Sequence, residues 1–253
     1  MCCKYWAYRI SILLVALFAL QSCNNHENES KHQKHKRQFS ENPYKKEFDA
    51  DYDAGINFFI ENRELISSTL DSLSVDKAVV LAVVFPETIR YSLIQDFLET
   101  SFLETVYVES GAEYADFSIG RFQMKPSFVE MLEQKLKSDS VLSEKYRLIS
   151  TFPGECTKRQ IREIRLQRLK SVEMQLFYAA AFYDVLTRMY PDETLSVEFY
   201  ASAYNFGFLR EKKAISSHIL RKSFPFGRKA GQNVFSYSEI SSYFYQNHYK
   251  SIF

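Results

Sequence analysis

One carboxylate stands out by its setting. Residues 78–85 read AVVLAVVF, an unbroken apolar run, and Pro86 and Glu87 follow it. A carboxyl group at the tip of such a segment loses hydration, and desolvation disfavours its charged form. An acid that keeps its proton near neutral pH suits the cleavage of a glycosidic bond, where a proton must reach the leaving oxygen. A plainer reading stays open at this point, with Glu87 as a helix-end carboxylate paired to Arg90. Two further clusters could supply neighbours. One is the turn Gly120-Arg121-Phe122-Gln123-Met124-Lys125-Pro126, and the other is Ala203-Tyr204-Asn205-Phe206-Gly207.

These residues need elements to hold them. By propensity AVVLAVVF is a buried strand, and periodicity cannot separate that from a buried helix. The helical character of its surroundings favours a helix, with Ser74 as N-cap. Pro86 disfavours helical geometry at Phe85. The helix is therefore expected to end or kink there, leaving Glu87 at its tip. Lys158 to Tyr190 reads as one long central helix stopped by Pro191. Its first half, KRQIREIRLQRLK, is basic and most simply a solvated face. Its second half, MQLFYAAAFYDVLTRMY, is apolar almost all round, as a helix entering a core must be. Glycine is scarce and no hairpin ladder or internal repeat is visible, so the class is mostly α.

The N-terminus carries Lys4 and Arg9, then an apolar stretch from Ile10 to Leu20, then Gln21-Ser22-Cys23 and an abrupt polar turn. A basic start, a short apolar core and a small residue before the break make a secretory signal. Cys directly after the small residue resembles a bacterial lipobox, which implies cleavage after residue 22 and lipid on Cys23. Ordinary signal cleavage, with Cys23 incidental, is the alternative. Residues 23–47 are polar and include KHQKHKR, and read as a disordered linker. Residues 48–253 form one domain by size.

Several chemistries are disfavoured. Net charge is +1, which argues against nucleic acid as the main partner. After processing, Cys156 is the only cysteine of the folded part, so no disulfide framework is expected, and its Pro-Gly loop makes a poor nucleophile site. Residues 49–61 imitate a calcium loop, but Ala54 and Ile60 stand where Gly and Glu are needed. That stretch reads instead as the acidic start of a helix. His32 and His35 lie in the linker and His218 and His248 are isolated. No metal site and no cofactor are expected. The aromatic C-terminal segment, 216–253, reads chiefly as a terminal helix packed on the core.

The order of the three clusters resembles the lytic transglycosylases and goose-type lysozymes. In that family a buried helix ends in the catalytic Glu, a Gly-Leu-Met-Gln-x-x-Pro turn follows, and an Ala-Tyr-Asn-Ala-Gly motif comes later. Gly120, Gln123 and Pro126 keep the first spacing; Ala203, Tyr204, Asn205 and Gly207 keep the second. The resemblance spans about Ser74 to Phe208 and implies a lysozyme-like α-helical domain.

It further implies that Glu87 protonates the bond between the MurNAc and GlcNAc sugars of peptidoglycan, then acts as base toward the sugar's own 6-hydroxyl. That route forms a 1,6-anhydro end without a second carboxylate. Gly120 and Gln123 would line the sugar cleft and Tyr204 would hydrogen-bond to or orient Glu87. Asn205 would join the substrate-binding residues and, with Gly207, shape the turn.

Here Thr88 stands where the family has Ser, and the gap to Gly120 is long, so residues 93–116 must loop out or form extra helix. Glu109, followed by Ser110, is a rival acid. Asp116 is the nearest second acid should water be the nucleophile. The implied protein is a monomeric exported lipoprotein, anchored by lipid and facing the periplasm or cell wall, with glycan strands as partner. The other readings are a non-catalytic peptidoglycan-binding module and a hydrolytic muramidase or chitosanase-like enzyme.

Overall fold

A computed structural model describes residues 42–91, 97–225 and 233–253. The expected export segment, the lipidation site Cys23 and the linker up to residue 41 lie outside the described residues. The described chain is mostly α, with thirteen helices and one two-stranded sheet. Residues 47–253 form one compact unit.

Helix α1 (Pro43–Glu61) begins on a proline, whose missing N–H costs nothing in a first turn. It therefore starts inside the stretch expected to be linker. It kinks at Asp49 (φ 41°, ψ −112°), and the acidic run that imitates a calcium loop is helical from there. Helix α2 (Arg63–Ser72) follows, then α3 (Lys77–Tyr91), the helix that carries Glu87.

Two expectations for α3 are corrected. Ser74 is not its cap: Ser74 sits at φ +49°, and Asp76 accepts the Val79 N–H at 3.1 Å. Nor does α3 end at Phe85. It runs through Pro86 to Tyr91, with every residue from Val79 to Ile89 buried. Proline removes one intrahelical bond and strains the preceding residue. Packing on all sides outweighs that local preference. Phe85 stacks on Phe244 at 4.4 Å between ring centroids and meets Tyr52 edge-on at 5.4 Å. Gly55 lets α1 approach closely, since a Cβ there would lie 2.8 Å from Thr88 Oγ1.

Residues 93–116 hold an extra helix, α4 (Phe97–Ser110). Then come α5 (Pro126–Lys137), α6 (Ser140–Lys145) and α7 (Arg147–Ser150). The expected long central helix is two helices, α8 (Lys158–Lys170) and α9 (Val172–Met189). Ser171 breaks it with extended backbone (φ −86°, ψ 125°) and caps α9 through Met174 N–H. The break falls where the composition changes from basic to apolar, so each helix buries its own face.

Helix α10 (Val197–Phe206) and α11 (Lys212–His218) precede a small antiparallel pair, β1 (Lys222–Phe224) with β2 (Phe235–Ser236). Helices α12 (Tyr237–Asn247) and α13 (Tyr249–Ile252) close the chain. Helices α3, α10 and α12 pack against one another, as expected for an aromatic C-terminal helix on the core.

The basic face of α8 is not simply solvated. Arg165 is buried and donates to Glu133 of α5 from Nε (3.1 Å) and Nη2 (2.7 Å). Its Nη1 reaches Glu130 and the Tyr107 hydroxyl, while Tyr178 of α9 donates to Glu133 at 2.8 Å. This network ties four helices together. Removing one member of a buried pair strands the other's charge. Glu133→Ala is expected to lower the free energy of unfolding by about 3–5 kcal/mol in urea titration.

Candidate active site

Glu87 lies one turn before the end of α3, with 5% of its surface exposed. Its Oε2 is buried without a hydrogen-bond partner, and the nearest cation is Arg90 Nη1 at 3.7 Å, one helical turn on. Burial pushes the carboxyl group up from 4.5 to about 7, against opposing pulls from Arg90, the Tyr237 hydroxyl and Lys125. The site thus holds both a carboxyl group that burial raises and the Arg90 contact.

A cavity of about 360 Å³ opens beside it. Glu87, Gln123, Tyr204 and Asn205 all line this cavity, with Arg90, Ser118 and Lys125 as the other polar groups and Met124 and Phe128 as apolar wall. Glu87 is the one carboxylate among these lining residues.

The turn that carries Gln123 is closed by a backbone pair, Ile119 N–H to Met124 C=O at 2.9 Å and Met124 N–H to Ile119 C=O at 3.0 Å. Gln123 sits at φ +50°, and its Nε2 donates to Gly120 C=O at 3.0 Å. A left-handed non-glycine residue costs about 1 kcal/mol or more, so the surroundings must impose it. They do so from three sides. Gln175 of α9 accepts the Phe122 N–H at 2.7 Å. Arg121 is held between the rings of Phe58 and Tyr91, and donates to Ala54 C=O at 3.1 Å. Tyr204 donates to Phe122 C=O at 2.8 Å. With its Nε2 turned inward to Gly120, Gln123 is left with a buried Oε1 that has no partner. That oxygen is an acceptor for a donor from the cavity.

Two assignments change. Gly120 does not line the cavity. It has φ +71°, and a Cβ there would lie 2.2 Å from Gln175 Nε2 and 2.3 Å from Leu169 C=O, so its role is close packing beneath the turn. Tyr204 is half-buried near Glu87, and that neighbouring charge adds to the desolvation that raises its hydroxyl pKa. Its proton goes to Phe122, however, and not to Glu87. It braces the turn while forming cavity wall.

Other candidates lie elsewhere. Glu109 is on the exposed face of α4, paired with Arg159 at 2.8 Å. Asp116 accepts from Ser127 N–H (3.0 Å) and Oγ–H (2.8 Å) at the start of α5, and is not part of the cavity wall. Cys156 Sγ donates to Pro153 C=O in its loop. His218 stacks on Phe206, and His248 bonds Tyr52. Among the described residues no group of three His, Cys, Asp or Glu side chains is placed to hold a metal ion.

One neighbour of Glu87 was missed. Tyr237 of α12 is buried and donates to Val83 C=O at 2.8 Å, one turn before Glu87. Its signal in the sequence was only an aromatic in a helix that reads as core. Comparison with family models, curated proteins and solved structures found no match.

A carboxyl group raised from 4.5 to about 7 binds its proton more tightly in the folded chain than in the unfolded one. Its contribution is therefore full below pH 4.5 and is lost as pH rises through 7. Glu87→Gln is expected to match the parent in stability at pH 4 and to exceed it by up to about 3 kcal/mol at pH 8, read by urea unfolding at both pH values. Gly120→Ala is expected to cost about 2 kcal/mol or more in the same titration, through both strain and overlap.

Proposed function

We propose that the chain is a peptidoglycan lytic transglycosylase with a lysozyme-like α domain, exported and anchored through lipid on Cys23. The observation that carries this reading is the buried, proton-holding Glu87 in a cavity whose wall also holds Gln123, Tyr204 and Asn205. Those residues come from the three clusters on which the family resemblance rests.

The chemistry follows from one carboxyl group. Protonated Glu87 gives its proton to the glycosidic oxygen between MurNAc and GlcNAc, and the C1–O bond breaks. The resulting Glu87 carboxylate takes the proton of the 6-hydroxyl, whose oxygen closes on C1 of the same sugar. The proton lost in the first step is regained in the second, and no water is consumed. Arg90 at 3.7 Å favours the carboxylate that forms between the steps. Burial favours the acid that begins them. The unpartnered Gln123 Oε1 would accept from a hydroxyl or acetamido N–H of the glycan.

A hydrolase needs a second carboxylate to activate water in the usual scheme. Asp116 is engaged at the start of α5, and Glu87 has no carboxylate beside it on the cavity wall. A binding module has no need of a desolvated acid, which destabilises the fold above neutral pH.

Digestion of purified sacculi, with the released fragments weighed by mass spectrometry, separates these readings. Anhydro ends are expected, with a rate that falls above about pH 7 as Glu87 loses its proton. Glu87→Gln should abolish release while the domain stays folded, and Glu109→Gln should release at the parent rate. Reducing ends would establish a muramidase, and retained binding without release would establish the module.

A further inference from the structure

Helix α11 and the turns on either side of it carry charge almost entirely of one sign. Residues 209–222 hold Arg210, Lys212, Lys213, Arg221 and Lys222 against a single carboxylate, Glu211. Lys212 pairs with Glu193. Arg210, Lys213, Arg221 and Lys222 are all exposed, and none of the four is within ion-pair distance of a carboxylate among the described residues. These charges sit close together. The Arg210 guanidinium lies 4.1 Å from the centre of the Phe206 ring, and His218 stacks on the same ring at 4.0 Å. The Arg221 N–H donates to His218 C=O at 3.0 Å. Burial first, and then the charges of Arg221 and Arg210, hold the His218 imidazole below its usual range, so both guanidinium groups bear on one spot. Lys222 follows Arg221 directly, and Lys213 shares a helical face with Ser217. Two large apolar side chains stand among these cations: Leu220 is 72% exposed and Leu209 43%. A lone exposed leucine is ordinary. Two of them, each beside an arginine without a carboxylate partner, match the pattern of a surface that meets an anionic interface.

We propose that this basic, leucine-bearing face around α11 docks on the anionic lipid headgroups of a bilayer. This rests on the lipid anchor of the proposed function and goes beyond it, since it names the face of the domain that meets the membrane. The stretch from Cys23 to Asn42 spans at most about 65 Å when extended, so an anchor on Cys23 keeps the domain near the bilayer. A tether of that kind makes docking an intramolecular event, for which a modest surface suffices. The leucines enter the headgroup layer, and the arginines and lysines remain among the phosphates. The linker is not the occupant, because its own KHQKHKR run repels a basic face. Net charge over the whole chain is only +1, so the attraction belongs to this face and not to the molecule at large.

The test uses the full-length processed chain, purified from membranes and reconstituted in vesicles of phosphatidylcholine alone or of an equal mixture with phosphatidylglycerol. An environment-sensitive fluorophore is attached at Ser217→Cys in a Cys156→Ser background, and in a second chain at the exposed Ser68→Cys of α2. The Ser217 label is expected to brighten and shift to the blue on the mixed vesicles only, and to return toward its value in water at high salt. Arg221→Gln combined with Lys222→Gln should lower the ratio of docked to free domain about tenfold or more. Leu220→Ser should lower it as well, and the charge-preserving pair Arg221→Lys with Lys222→Arg should leave it unchanged. Circular dichroism confirms that each variant is folded. The same response on both kinds of vesicle overturns the docking face, as does no response, a matching response at the Ser68 label, or a response that survives the double Gln variant. A Ser217 label that answers to purified sacculi and not to vesicles makes a wall polymer the partner and overturns the membrane. Flotation separates the two readings. A chain that floats with both kinds of vesicle while its Ser217 label stays in water keeps the anchor and loses the docking face. One that floats with the mixed vesicles alone keeps the docking face and loses the anchor.

Discussion

A carboxyl group inside an apolar helix is the constraint on which the rest of the structure turns. Helix α3 is buried from Val79 to Ile89, and Glu87 keeps only 5% of its surface exposed, on the cavity side. Helices α10 and α12 cover it on two sides and α1 approaches through Gly55. That enclosure strips solvent from the carboxylate, and the same enclosure shapes the cavity into which the acid faces. The fold accepts an electrostatic cost at one position, and that cost gives the position its chemistry.

The opposite wall is held by a different device. The turn from Ile119 to Met124 places Gln123 in a left-handed conformation that its own preferences do not favour. Gln175, Tyr204 and, through Arg121 of the turn itself, Ala54 fix it from three separate parts of the chain. Gly120 lets the turn sit hard against α8 and α9. The site is thus two walls, one helical and one a strained turn, and the turn is braced partly by the helices that enclose Glu87. Residues far apart in sequence act as the braces.

The extra helix α4 fits the same logic. It lies against α8, joined by Glu104 to Lys170, by Glu109 to Arg159 and by the Tyr107 hydroxyl to Arg165. The basic stripe on α8 therefore serves first as an internal seam. Surface pairs of this kind contribute little singly. The pair of Arg165 with Glu133 is buried and joins α8 to α5.

Much of this was readable in advance, and the misses share a cause. The apolar run before Glu87 announced a desolvated acid, because hydration loss depends on local composition as well as on the final fold. The spacing of the Gln123 turn and the Tyr204-Asn205 pair announced neighbours for it. Local rules then failed where long-range packing overruled them. Pro86 was expected to end the helix, but aromatic rings from α1 and α12 hold α3 together beyond it. Ser171 breaks a pattern that looked continuous, because two helices with different buried faces meet there. Gly120 looked like cleft and is packing, Tyr204 looked like a partner of Glu87 and is a brace, and Tyr237 looked like core and stands beside the acid. The sequence by itself determined that one carboxyl group would be starved of water and that the chain would be mostly helical, since both follow from residue types and their local order. Only the tertiary structure decided which oxygen each buried donor reaches, and therefore which residues face the cavity. Those contacts join segments far apart along the chain, and local order carries no record of their distances.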